Sequence, residues 1–208
     1  YEPKVNSMIP IVVCTVGSRS LNVFLSSLKT YNPDVGYFIF EGHKGNFGED
    51  YNEAMNAVFE NYDEIIIAND DVVLTPKTYE MLMDDVRFLK TQAKLGFVAT
   101  MADYVRGNQA ITHTQSDWHI RETNLVSPLF AYISKEAFKE AQFPPINWYS
   151  DDVICKDLNA LGYRHFISRA YVHHAGSQSI GRNVEKHLEE AKPWIQENRP
   201  EYFKEWYA

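Results

Sequence analysis

Short apolar runs alternate with amphipathic segments along the first half of the chain. The runs are rich in β-branched and aromatic residues, as buried strands are, and they cover Ile9–Val16, Gly36–Phe40, Glu64–Ala68 and Gly96–Thr100. Between them, apolar residues recur at i, i+3, i+4 and i+7, the spacing of one helical face. The three stripes are Leu21, Phe24, Leu25 and Leu28; Tyr51, Ala54, Met55, Val58 and Phe59; and Tyr79, Leu82, Met83 and Val86. This alternation predicts an α/β domain with a largely parallel sheet.

The second half begins with a polar stretch without periodicity, residues 102–125, which we interpret as a long functional loop. A strand over Pro128–Ser134, a short helix from Lys135, a helix over Asp151–Leu161 and a strand over His165–His174 are expected to follow. Val184, Leu188, Ala191 and Ile195 mark a closing helix. With neither repeats nor linkers in the sequence, we expect one domain over residues 1–208.

Two of the helix starts carry capping signals. We expect Ser18 or Ser20 to cap the first helix, and Thr75 to cap the third, with Pro76 at its first position.

The tripeptide Asp-Asp-Val occurs three times, and its first copy follows a strand in the stretch EIIIANDDVVLTP. Ligands of open α/β sheets bind outside the carboxyl ends of the strands, and paired carboxylates there suit Mg²⁺ or Mn²⁺. The alternative is turn and cap chemistry, in which Asn and Asp are common. We favour a functional site at Asp70 and Asp71, because Thr75 already supplies the cap and Val72–Leu74 continues the apolar run.

The other two copies lie in helices. Asp84 and Asp85 fall beside the apolar stripe of their helix, so we interpret them as a solvated face without function. Asp151 and Asp152 open a helix, where the helix dipole alone favours acids and Ser150 could be the cap. The preceding NWY sequence could instead wall a pocket in which one carboxylate acts as a general base. Both interpretations stay open at this point.

His173 and His174 end a predicted strand before a Gly/Ser stretch. Adjacent side chains of a strand point to opposite faces, so only one imidazole would normally reach a given site. A structural role is the more common one for a histidine. A neutral imidazole could also complete a metal shell that Asp71 begins.

Composition narrows the classes of function. The formal charge of −8 argues against a general nucleic-acid binder, and a polyanionic ligand would then need local help such as a metal ion. The two cysteines, Cys14 and Cys155, form no disulfide framework, so we expect a cytoplasmic protein. Because no apolar run approaches the ~18 residues of a membrane span, we expect no transmembrane segment.

Taken in order, six motifs resemble the GT-A glycosyltransferases, especially the large inverting family of bacterial and phage sugar transferases. PIVVCTVGSR resembles the family's first strand and nucleotide loop, FIFEG its second strand, and GNFGEDYNEAM the segment that follows. ANDDVVLTP resembles the DXD motif, WYSDDVICKDLNALGYR the ED block, and AYVHHAGSQS the strand that carries a metal-binding histidine. The ending RPEYFKEW is also similar, so the resemblance covers nearly the whole chain. It implies a GT-A fold with a mixed, largely parallel sheet.

The resemblance also implies roles for individual residues. Residues 1–100 would form the half that binds the nucleotide-sugar donor, and residues 101–208 the half that binds the acceptor. The donor-binding set is Thr15, Gly17, Arg19, Glu41, Asn46, Asn69 and Asp70. Asp71 would bind Mn²⁺ or Mg²⁺ together with His174 or, less favoured, His173. Asp152, or otherwise Asp151, would be the base. The acceptor-side set is Trp118, His119 and Trp148.

The implied reaction is transfer of a sugar, with inversion, from a nucleotide-diphosphate-sugar, expected to be a UDP-sugar, to an acceptor hydroxyl of a glycan or another molecule. A retaining GT-A enzyme or a nucleotidyltransferase would use the same metal-binding carboxylate. A non-catalytic nucleotide- or glycan-binding module on this fold is the alternative from another class.

Overall fold

A computed structural model describes residues 8–17, 19–111, 118–174, 176 and 184–207 of the chain. Its strands are β1 (Ile11–Thr15), β2 (Tyr37–Glu41), β3 (Glu64–Asn69), β4 (Val72–Leu74), β5 (Leu95–Ala102), β6 (Arg121–Thr123), β7 (Phe130–Ser134) and β8 (Arg164–His174). Its α-helices are α1 (Ser20–Tyr31), α2 (Phe47–Phe59), α3 (Thr78–Lys90), α4 (Lys135–Glu140), α5 (Ser150–Ala160), α6 (Val184–Asn198) and α7 (Pro200–Tyr207). A 3-10 helix covers Gly107–Gln109.

The strands form one mixed sheet in the order β2-β1-β3-β7-β5-β8-β4, with β6 also paired to β8. Strands β1, β2, β3, β5 and β8 run in one direction, and β4, β6 and β7 run against them. The predicted fold class, an α/β domain with a mixed, largely parallel sheet between helices, is confirmed.

The core lies on both faces of the sheet. Along β3, Ile66 and Ala68 pack with residues of α1 and α3, whereas Ile65 and Ile67 pack with residues of α2, α4 and α5. Successive side chains of a strand point to opposite faces, so a strand covered on both sides needs apolar residues at every position. This requirement explains the continuous apolar runs of the sequence.

The chain reverses direction directly after the first Asp-Asp pair. Strand β4 runs antiparallel to the end of β8, with Val72 opposite His174 and Leu74 opposite Val172. The apolar residues after Asp71 are therefore a second buried strand. Its register brings Asp71 next to the histidine end of β8.

The predicted cap of α3 is wrong, and Ser150, the possible cap of α5, is not its cap residue. Helix α3 begins at Thr78, and Thr75 does not cap it: the Thr75 backbone N–H donates to Thr78 Oγ1 over 2.8 Å, and this hydroxyl donates to the Tyr171 carbonyl over 2.6 Å. Ser150 is the first residue of α5 and donates its hydroxyl to the Pro144 carbonyl over 3.0 Å. The Thr75 hydroxyl lies 2.9 Å from Thr78 Oγ1, so its partner is a side chain of the same helix start, whereas the Ser150 hydroxyl is taken by a tertiary contact.

For α1, the N-cap position is Arg19, without a side-chain cap, and Ser20 is the first helical residue. The other candidate, Ser18, lies outside the described residues.

The prediction that Asp85 lies on a solvated face is wrong. Asp84 is exposed, but Asp85 is fully buried between α3 and β8. Its carboxylate accepts hydrogen bonds from Ser168 Oγ at 2.7 Å, from the Arg169 backbone N–H at 2.8 Å and from Arg169 Nε at 2.9 Å. An acid beside the apolar stripe is buried here because the neighbouring strand supplies a complete set of donors.

The stretch 102–125 contains more structure than the predicted loop. Besides the 3-10 helix it contributes β6, which pairs with β8, and its residues 112–117 lie outside the described part of the chain. Gln109 is buried and donates to the carbonyls of Thr100 and Ser127 at 2.9 and 2.8 Å. These bonds fix the segment that carries residues 103–106 over the end of β5.

The last two helices pack against the start of α5. Ile146, Ala191 and Ile195 form a small buried cluster, and aromatic residues of α7 pack against it. None of the helices in the described part of the chain combines the length and hydrophobicity that a membrane-spanning segment needs.

Candidate active site

A cavity of about 840 Å³ opens at the carboxyl ends of the parallel strands. Thr15 lines it from the end of β1, Asn69 from the end of β3 and His174 from the end of β8. The loop after β5 and the first turn of α5 also line it. A sheet whose parallel strands end together brings polar residues that are distant in sequence into one place.

The first acidic residue of the pair after β3 is held by β1. Thr15 Oγ1 donates to Asp70 Oδ2 over 2.6 Å, and the Gly17 backbone N–H donates to the same Thr15 oxygen over 3.1 Å. Beneath them, the Tyr51 hydroxyl donates to the Ala68 carbonyl over 2.7 Å. This network fixes the end of β3 at the cavity.

Asp71 and His174 face each other at the cavity wall, with 3.4 Å between Oδ2 and Nε2, and each is largely buried. His174 Nδ1 lies 2.5 Å from the Tyr104 carbonyl, an acceptor, so this nitrogen carries a proton. Burial lowers the pKa of His174, but the hydrogen bond and charge of Asp71 and the contact with Tyr104 raise it more, so the net shift is upward. The imidazole thus has Nδ1 toward the Tyr104 carbonyl and Nε2 toward the Asp71 carboxylate.

Asp103 fixes the end of β8 from the loop after β5. Its Oδ1 accepts the His174 backbone N–H at 2.8 Å, and its Oδ2 contacts His173 Nδ1. Burial raises the pKa of Asp103, but the backbone N–H groups of His174 and Tyr104 and the nearby His173 leave it below its ordinary value. Of the two adjacent histidines, His174 lines the cavity and His173 does not.

The acidic pair of α5 is bound by Arg106, a residue that the sequence did not single out. Arg106 Nη1 donates to both oxygens of Asp152 at 2.9 and 2.8 Å, and Nη2 donates to Asp151 Oδ2 at 3.0 Å. The Asp152 side chain is 6% exposed, whereas that of Asp151 is 23% exposed and that of Arg106 is 45% exposed. The more buried carboxylate is thus covered on its cavity side by a cation from a loop.

The pKa of Asp152 is raised to about 6 as the net result of three causes: burial and the neighbouring Asp151 raise it, and Arg106 opposes both. A base at this first-turn position needs burial to offset the helix dipole, and burial is the largest cause of the upward pKa shift of Asp152. A carboxylate with a pKa near 6 is mostly ionised at neutral pH, yet binds a proton more readily than an ordinary Asp.

Nine of the predicted site residues line the cavity: Thr15, Asn46, Asn69, Asp70, Asp71, Trp148, Asp151, Asp152 and His174. Six do not: Gly17, Arg19, Glu41, Trp118, His119 and His173. The roles of all fifteen stay predictions.

Asn46 has a structural role besides: its Oδ1 accepts the Glu49 backbone N–H at 2.8 Å as the N-cap of α2.

Further residues that had no predicted role in the site also line the cavity, among them Tyr51, Asp103, Tyr104, Arg106 and His187. Tyr51 was predicted as part of an apolar helix face, and this interpretation gave no role to its hydroxyl group. The only signal for the three loop residues was their place in the long polar stretch. His187 reaches the cavity because α6 packs over it, which no local pattern shows.

No protein-family model matches the chain, and no curated protein does either. Solved structures do match. S. aureus TarS 1–349 superposes with a TM-score of 0.58 at 13% identity, over 90% of this chain and 65% of that one. A197 from STIV gives a TM-score of 0.54 at 16% identity, over 76% of this chain and 80% of that one.

A third similar structure is a glycosyltransferase involved in the glycosylation of the major capsid of PBCV-1. Its TM-score is 0.50 at 11% identity, over 87% of this chain and 98% of that one. TarS 1–349 has also been crystallised with UDP-GlcNAc, and that structure superposes with a TM-score of 0.55 at 14% identity, over 79% of this chain and 57% of that one. With these identities the likeness concerns the fold, and the chain has a GT-A-like glycosyltransferase fold.

Proposed function

We propose that the protein transfers a sugar, with inversion, from a nucleotide-diphosphate-sugar to an acceptor hydroxyl, and that it needs a divalent cation. One observation carries the proposal: a single cavity is lined by a carboxylate–imidazole pair, Asp71 and His174, and by a buried carboxylate of raised pKa, Asp152. The pair of Asp71 and His174 suits the binding of a metal ion and its diphosphate, and Asp152 suits the abstraction of a proton.

Asp71 and His174 fit a divalent cation. With Nδ1–H directed at the Tyr104 carbonyl, the neutral imidazole offers the lone pair of Nε2 toward Asp71, the arrangement in which histidine binds metals. Among the described residues, no group of three or more His, Cys, Asp or Glu side chains could hold an ion by itself. The diphosphate and water would supply the other ligands, as is common for Mg²⁺ and Mn²⁺. When bound, the cation would neutralise charge on the leaving diphosphate.

Asp152 is the proposed base. It lines the cavity from the first turn of α5, and Arg106 keeps it ionised by donating to both of its oxygens. An incoming hydroxyl would replace part of this contact and give its proton to the carboxylate while its oxygen attacks the anomeric carbon. Trp148 lies in the adjacent cavity wall, where an aromatic face could pack on the C–H surface of a sugar.

The choice of a UDP-sugar rests on the complexes of TarS with UDP-GlcNAc and with UDP. Thr15 and Asn69 are the proposed contacts of the nucleoside and ribose, because they line the cavity next to Asp70. The acceptor is proposed only as a molecule that presents a hydroxyl group.

The test is a panel of nucleotide-sugars incubated with the protein in Mn²⁺ or in EDTA, with release of nucleoside diphosphate as the readout. We expect slow release from at least one UDP-sugar, in Mn²⁺ only. NMR of the product then assigns its anomeric configuration. Retention would indicate a double displacement or another retaining route, release of pyrophosphate from a nucleoside triphosphate would indicate a nucleotidyltransferase, and binding without turnover would indicate a non-catalytic module.

A further inference from the structure

Tyr149, immediately before α5, has a backbone that non-glycine residues seldom adopt. Its φ of 64° and ψ of 6° lie in the left-handed region, and it is the only such non-glycine residue in the described part of the chain. A side chain in this region carries a steric cost that persists only where the surroundings enforce it. Such strain directly before the two acids of α5 requires a physical cause.

The left-handed turn determines where α5 begins. The Tyr149 carbonyl accepts the Val153 N–H at 2.9 Å as the first helical bond, and Ser150 is tied to Pro144. Pro144 also lies close to Gly48 of α2: any side chain at this glycine would clash, because its Cβ would be 1.8 Å from the Pro144 carbonyl oxygen. The connector is thus held tightly against α2, and Asp152, three residues beyond Tyr149, takes its direction from this start.

Helix α7 supplies the contact that holds the Tyr149 ring. Trp206 stacks on Tyr149, with 4.8 Å between ring centroids and 15° between planes, and Tyr207 meets the same ring edge-on at 6.0 Å. Trp206 in turn packs against Tyr202 at 5.5 Å. Two aromatic residues of a helix distant in sequence therefore enclose the ring of the strained residue.

The same helix is fastened to α5 further along. Arg199, just before α7, donates through Nη2 to Asp157 Oδ2 at 2.6 Å, and the Tyr202 hydroxyl donates to Asp157 Oδ1 at 2.9 Å. Lys156 Nζ lies 2.5 Å from Glu205 Oε2. Helix α7 thus contacts α5 both at its strained start and in its second turn, which fixes the first turn relative to the rest of the helix.

We propose that Trp206 is a positioning residue: by stacking on Tyr149 it holds the left-handed turn that directs the Asp152 carboxylate into the cavity. The role in catalysis rests on the proposed function, since it assumes that Asp152 is the base. The positioning itself is a property of the turn and can be measured without activity.

The first arm of the test removes the stack. Trp206→Leu should lower kcat roughly ten- to hundredfold, the effect of a misdirected catalytic group, while the KM for the donor stays near the wild-type value. Trp206→Phe, which keeps a ring on Tyr149, should recover most of this loss. Trp194→Leu is the matched control, because it removes the same ring from the same aromatic cluster without the stack on Tyr149. Equal losses of kcat in Trp206→Leu and Trp194→Leu would overturn the proposal.

The second arm tests the turn with Tyr149→Gly and Tyr149→Ala. Both remove the ring, but glycine adopts a φ of 64° without steric cost and alanine does not. We expect a higher kcat for Tyr149→Gly than for Tyr149→Ala, and we expect Trp206→Leu to add little further loss in the Tyr149→Gly background. Equal kcat values for the glycine and alanine variants would overturn the proposal.

The third arm separates this inference from the proposed function. The carboxyl titration of Asp152, followed by NMR, reports its surroundings whether or not sugar transfer occurs. The groups around it are Asp151 and Cys155 of α5, Tyr149 before the helix and Arg106 from the loop. The midpoint should fall toward that of an ordinary Asp in Trp206→Leu and Tyr149→Ala, because burial is lost, but not in Tyr149→Gly. This pattern in a protein without transferase activity would leave the positioning intact and refute the function; an unchanged midpoint in Trp206→Leu would refute the positioning.

Discussion

Two buried aspartates of the same tripeptide, Asp85 and Asp152, show how partners decide the role of a carboxylate. Both follow another Asp, both precede a Val, and both bind an arginine. Asp85 is enclosed between α3 and β8 and accepts from Ser168 and from the backbone and side chain of Arg169. Asp152 accepts two hydrogen bonds from Arg106, on a loop, and faces a cavity of about 840 Å³.

The difference lies in what each carboxylate can still do. A carboxylate that accepts several hydrogen bonds from rigid elements holds these elements together, and none of its oxygen atoms is accessible to a ligand. A carboxylate covered by one exposed arginine side chain can exchange this partner for a substrate hydroxyl. The comparison predicts that Asp85 matters for stability and Asp152 for turnover.

The largest expected effect is on turnover. Asp152→Asn should lower sugar transfer roughly 10²- to 10⁴-fold, because an amide cannot accept the proton of the acceptor. UDP affinity, measured by calorimetry, should change little. Asp151→Asn is the matched control, since Asp151 is more exposed and binds the same arginine. Full transfer by Asp152→Asn with an inactive Asp151→Asn would move the assignment by one residue.

The second effect is on stability. Asp85→Asn should lower the free energy of unfolding by roughly 2–4 kcal/mol, because removal of one partner of a buried pair costs about 3–5 kcal/mol and Arg169 here is partly exposed. Denaturant unfolding measures it. The neighbouring exposed residue gives the control, since Asp84→Asn should stay within about 0.5 kcal/mol of the wild type. Equal stability of the two variants would show that the Asp85 contacts contribute nothing.

The smallest effect is on pH dependence. A base works when deprotonated, so kcat/KM should rise with pH through a midpoint near 6, the pKa of Asp152. Arg106 lowers this pKa, and Arg106→Gln should therefore move the midpoint to higher pH. Steady-state kinetics between pH 5 and 8 measure the shift. A midpoint that does not move would mean that Arg106 leaves Asp152 before the substrate arrives.

The sequence was sufficient to predict the layers of the fold, because strands that are buried on both faces appear in it as continuous apolar runs. It also placed Asp70, Asp71 and one of the two histidines, His173 or His174, at one edge, since all of them come at the end of a predicted strand. It could not predict that Asp85 is buried, because the donors that satisfy its carboxylate belong to β8 and reach it only in the tertiary structure. Arg106 and Trp206 were missed for the same reason: their partners lie about 45 and 57 residues away in the chain.

The most direct test of the central claim is titration calorimetry of UDP into the wild type and into Asp71→Ala, each in Mn²⁺ and in EDTA. A cavity edge built from Asp71 and His174 in a chain of charge −8 should hold a diphosphate only with a cation. We expect tight binding by the wild type in Mn²⁺, weak binding in EDTA, and weak binding by Asp71→Ala in both. Equal affinity of the wild type in Mn²⁺ and in EDTA would contradict it.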